Sequence, residues 1–111
     1  MTASERIIEE VGSWPGVSVG PGKRGASVAF RVGRRELGHL HGTHAAHFSF
    51  PKDMWEELRR DGRIAPHPVF PDAQGPAARR IKSPTDVDDV INLLRLNYER
   101  VLARHGLPEA A

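Results

Sequence analysis

The chain has 111 residues, no cysteine and a formal net charge of +2 at pH 7, although its many arginines give a calculated pI near 9.5. That length suits one domain around one core, and the missing thiols exclude disulfides, thiolate metal ligands and cysteine nucleophiles. No stretch is apolar for long enough to cross a bilayer, and the opening MTASERIIEEVGSW is acidic where a secretory leader needs an apolar run, so no membrane role and a cytoplasmic protein are expected.

Ile7, Ile8 and Val11 share one side of a short amphipathic helix beginning near Ser4. Gly12 and then Trp14-Pro15-Gly16 stop it, because proline disfavours helical geometry in the residue before it and glycine favours a turn. Val17 to Val19 is a short strand, and GPGKRG after it is a loop by composition. Next comes SVAFRV, then Gly33-Arg34, then RELGHLH: two strand-like runs joined by a two-residue turn whose leading glycine suits type II′. In a regular ladder Val32 faces Arg35, Phe30 faces Leu37, Val28 faces His39 and Ala26 faces His41, all on the apolar side. Arg31 then pairs with Glu36 on the solvated side, and His39 and His41 point toward the core.

After Gly42-Thr43, HAAHFSF reads as a third strand, and Pro51 opens a helix, PKDMWEELRRDG, with Met54, Trp55 and Leu58 on its apolar face. The proline-punctuated IAPHPVFPDAQGP holds only short edge strands, and a further strand runs from Ala77 to Lys82. The last helix opens with Ser83 as N-cap, Pro84 behind it and Asp86 in its first turn. Val87, Val90, Ile91, Leu94, Tyr98 and Val101 line one side of it up to Gly106. The order predicts an α+β domain over residues 1–106: a mostly antiparallel sheet with an N-terminal helix, a middle helix and a long C-terminal helix packed on one face. A flexible tail is expected at 107–111.

The strings SWPGV, GRRELGHLHG, FSFP, RIAPHPVFPD and LLRLNYER together resemble the small bacterial proteins of the luciferase-domain family, over Trp14 to Arg100. The resemblance implies a fold more than an activity. Flavin-dependent luciferases are large (β/α) barrels and this chain is too short for one, so light emission does not come with the likeness. The C-terminal half is also similar to MmcQ/YjbR-type domains, with ARRIK standing where those domains often carry a tryptophan in the late strand.

The residues assigned to a candidate ligand site are His39, His41, Glu36, Arg35, His67 and Tyr98. His39-x-His41 on a strand presents two imidazoles one strand period apart, which suits an acid–base pair or part of a metal site, but the spacing is nonspecific and no metal site is assigned from it. His44, His47 or His67 would complete a ligand set, but His44 and His47 are an odd number apart, so a straight strand points them to opposite faces, and in the turn and the start of the next strand neither is assigned to the site. No G-x-S-x-G elbow or paired carboxylates accompany the histidines, so an enzyme is left open and the cofactor unknown. The arginines at 34–35, 59–63 and 79–80 allow nucleic-acid binding without favouring it, since few aromatics are free to stack. A small ligand or protein partner is the expected role.

Overall fold

A computed structural model describes residues 1–108 of the chain. Its elements in order are α1 (Ala3–Gly12), β1 (Val17–Pro21), β2 (Val28–Val32), β3 (Arg35–His41), β4 (Ala45–Ser49), α2 (Lys52–Arg60), β5 (Ala65–Pro66), β6 (Pro76–Arg80) and α3 (Pro84–His105). The strands make one antiparallel sheet in the order β1-β2-β3-β4-β6-β5. This is the α+β fold expected, with each helix in the predicted part of the chain.

Local chemistry explains the helix boundaries. The Thr2 hydroxyl accepts from the Glu5 amide to start α1, and the Ser83 hydroxyl accepts from the Asp86 amide to start α3. Pro51 stands just ahead of α2 rather than as its first helical residue, and its carbonyl accepts from the Trp55 amide. At the β2–β3 turn only Gly33 takes a positive φ, of +61°, while Arg34 does not, as a type II′ turn requires.

One face of the sheet carries the core. Phe30, Leu40, Phe48 and Ala77 are buried there beneath Ile7 and Val11 of α1 and Val90, Leu93 and Leu94 of α3. The Tyr98 ring lies 5.2 Å from Trp14, and its hydroxyl donates to the Pro15 carbonyl at 2.7 Å. Tyr98 therefore ties α3 to the turn after α1. Of the expected tail, Leu107 and Pro108 approach Gly16, and residues 109–111 lie outside the described residues.

The regular β2–β3 ladder expected from the sequence is corrected at one point. Val32 pairs with Arg35 and Arg31 with Glu36 as anticipated, but Phe30 then pairs with Gly38, Ala29 with His39 and Val28 with Leu40. Leu37 is the extra residue of a β-bulge, which shifts every later side chain of β3 to the opposite face. His39 and His41 consequently point away from the helices, not toward the core. Gly38 takes the inward position, where even a Cβ would come within 2.8 Å of Leu94 Cδ2 and 3.0 Å of the His47 carbonyl oxygen.

The bulge has a partner that sequence periodicity overlooked. Asn97, fully buried on α3, donates from its amide to the Leu37 carbonyl at 3.0 Å and the Ser49 carbonyl at 3.2 Å, and accepts from Arg100. These bonds fasten the helix across β3 and β4 at the level of the irregularity. Gly38→Ala should lower the stability of the fold by about 1–3 kcal/mol through overpacking. Urea unfolding checks this, and an unchanged midpoint would contradict the close approach of Leu94.

Candidate functional site

The face of the sheet opposite the helices is polar at its centre. His39 of β3 pairs directly with His47 of β4, and His41 follows two residues along β3 on the same face. Small residues flank this row, since Ala29 pairs with His39 on one side and Ala78 with His47 on the other. The chain leaving β5, which pairs with Ala78 through Ala65, brings in a fourth histidine, His67. Ring centroids are 5.1 Å apart for His39–His41, 5.3 Å for His39–His47, 4.2 Å for His41–His47 and 4.3 Å for His47–His67.

Each of His39, His41 and His47 offers a ring nitrogen such that the three lie within 4.8 Å of one another. They line a cleft of about 290 Å³ together with Lys23, Arg24, Glu36, His67, Val69 and Phe70. Glu36 joins them because of the bulge. It is an odd number of residues from His39 and in a straight strand would face the other way, but here its carboxylate is 2.9 Å from His39 Nδ1.

Desolvation sets the charge of the cluster. His47 is only 8% exposed, and burial, followed by the neighbouring His41, His67 and His39, pushes its pKa down to about 4. Burial and nearby histidines likewise lower His41 and His67. The hydrogen bond from His39, outweighing burial, holds Glu36 below the usual carboxylate range. These three rings are neutral near pH 7 beside an ionised carboxylate, which leaves lone pairs available in the cleft.

Of the residues assigned from sequence, His39, His41, Glu36 and His67 come together. Arg35 and Tyr98 do not: Arg35 borders a shallow cleft with Arg100, Arg104 and His105, and Tyr98 is in the core. His47, not assigned to the site from the sequence, is the most buried of the cluster, whereas His44 is exposed at the β3–β4 turn. The odd separation of His44 and His47 was the signal: with His44 in the turn, His47 falls opposite His39. Two of the arginines considered for nucleic acid are engaged by acids, Arg63 with Asp89 at 2.7 Å and Arg79 with Asp86 at 2.7 Å.

An α+β domain with a histidine-lined cleft on the open face of its sheet is thus the class of protein present. The model of the family described as "Luciferase domain" matches residues 34–97, more than half of the chain, and the chain belongs to that family. The matched span includes the bulge, Asn97 and all four clustered histidines. No curated protein and no solved structure matches the chain.

The depressed His47 pKa has a consequence for stability. Unfolded histidine binds a proton below its ordinary value of 6.5, folded His47 only below about 4. As pH falls through that window the unfolded chain takes up a proton the folded chain refuses, so stability declines, and below about pH 4 this contribution levels off. Between those limits the native chain should lose roughly 2 kcal/mol more than His47→Gln does. Urea titrations of both proteins across pH 7 to 4 measure the difference, and parallel curves would count against the burial of His47.

Proposed function

We propose that the chain is a small-ligand-binding module built on a metal centre, with His39, His41 and His47 holding one divalent transition-metal ion and one coordination position open to the cleft. The observation that supports this is the convergence of three imidazole nitrogens, from two adjacent strands, within 4.8 Å. Around a tetrahedral zinc ion with Zn–N bonds of about 2.0–2.1 Å, ligand nitrogens sit roughly 3.3 Å apart, so ring rotations moving each nitrogen by about 1 Å complete the set. Three imidazole ligands suit zinc, cobalt, nickel or copper rather than calcium or magnesium. Glu36 supports the assignment. A carboxylate accepts only, so His39 Nδ1 carries the proton and Nε2 is the nitrogen that would bind the ion, the usual arrangement behind a ligating histidine.

The function so assigned is binding, without autonomous light emission. Three protein ligands plus an open position is also the arrangement of catalytic zinc, which makes metal-assisted hydrolysis the second reading.

Protein purified without a histidine tag should take up one equivalent of Zn(II) or Co(II) per chain, and Co(II) should show the visible d–d bands of a low-coordinate centre. Glu36→Gln is expected to weaken affinity about 10- to 100-fold, and His47→Ala to remove stoichiometric binding while the fold is retained. Uptake far below one equivalent, with no thermal stabilisation by added metal, would defeat the assignment.

A further inference from the structure

Two histidines of the cleft use Nδ1 in opposite senses. His39 donates from Nδ1 to the Glu36 carboxylate. His67 does the reverse: its Nδ1 accepts from the Val69 amide at 3.1 Å. A backbone amide only donates, so His67 Nδ1 is unprotonated and, in the neutral ring, the proton sits on Nε2. His67 therefore offers the cleft an N–H donor and not a ligand lone pair. In keeping with this, it is not among the three histidines whose ligand atoms converge.

Around that donor the cleft has two further characters. Lys23 and Arg24 stand at its rim, and no ion pair engages either of them among the described residues. Arg24 is held there in a left-handed conformation, with φ +55°, that few non-glycine residues adopt. The other wall is apolar: Val69 and Phe70 are 69% and 46% exposed, among the few large hydrophobic side chains of the chain left to solvent. Exposed bulky apolar groups beside a polar cleft mark a contact surface more than a stability device.

From these features we infer that the cleft binds a small monocarboxylate with an apolar body, one carboxylate oxygen on the metal's open position and the other accepting from His67 Nε2–H. One coordination position and one neighbouring donor match a pair of oxygens on a single carbon. Lys23 and Arg24 add to the positive charge of the ion and draw an anion in, while Val69 and Phe70 cover the ligand's hydrocarbon part. At about 290 Å³ the space is at the small end of ligand pockets, which limits the body to a short chain or a single ring. The inference rests on the metal centre proposed above.

The test uses the full chain loaded with Co(II), followed by visible absorption, with acetate, hexanoate and benzoate as probes. Hexanoate and benzoate should perturb the cobalt bands and bind at least about 10-fold more tightly than acetate. Phe70→Ala should remove most of that preference, weakening hexanoate and benzoate more than acetate. His67→Phe, which keeps a ring but has no N–H, should weaken all three probes about 10-fold while stoichiometric cobalt uptake is retained, and Lys23→Ala/Arg24→Ala should weaken all three and flatten the salt dependence. The three variants alter partly or fully exposed side chains, and circular dichroism confirms that they fold. If cobalt binds but no carboxylate perturbs it, or acetate binds as tightly as hexanoate, the carboxylate inference is overturned and the metal centre stands. If cobalt does not bind, both fall.

Discussion

The single extra residue in β3 decides what the rest of the sheet can do. Leu37 has no partner on β2, so the strand after it is turned over, and its carbonyl is left for another donor. Asn97 supplies that donor from within the core, and a buried amide that bonds two carbonyls while accepting from Arg100 satisfies groups that would each be costly alone. The bulge and the asparagine explain each other. Without the asparagine the bulged carbonyl loses a buried partner, and without the bulge Asn97 loses one of the two carbonyls it bonds.

Two consequences reach the open face. Turning the strand over places His39 and His41 beside His47 instead of in the core, and it puts Glu36 on the same side as His39. Neither would follow from a regular ladder, in which Glu36 and His39 lie on opposite faces. Gly38 is the complementary requirement on the helix side, because the turned-over strand sends a position inward where Leu94, Phe48 and the β4 backbone leave no space for a side chain. A local defect in pairing thus serves packing on one face and polar convergence on the other.

Much of the fold was legible in the chain, because helix caps, turn glycines and apolar spacing are local signals. Ser83, Pro84 and Gly106 bracket α3, and Gly33-Arg34 closes the hairpin where the composition placed it. The bulge was not legible, since ELGHLH alternates acceptably in either register and only the packing of Gly38 under Leu94 distinguishes them. That one-residue ambiguity is why His39 and His41 were expected to face the core. His47 was missed for a related reason: its value comes from lying across from His39, a cross-strand relation that linear spacing does not display. Tyr98 was named among the site residues, but its place on the apolar stripe already favoured core packing with a bonded hydroxyl, and its hydroxyl donates to the Pro15 carbonyl.

The division of labour between the two faces also bears on which residues can be altered without unfolding the chain. Nearly all the large buried apolar groups are on the helix side, where α1 and α3 seal the sheet. On the open side, four imidazoles are gathered over small alanines, and the most buried of them is held neutral by desolvation. Crowding neutral imidazoles opposes their protonation and so weakens the fold in acid, a liability that a purely structural surface would avoid by placing threonine or valine there. Such polar positions contribute little to the core and carry a cost of their own, which is the physical ground for the binding role proposed for them.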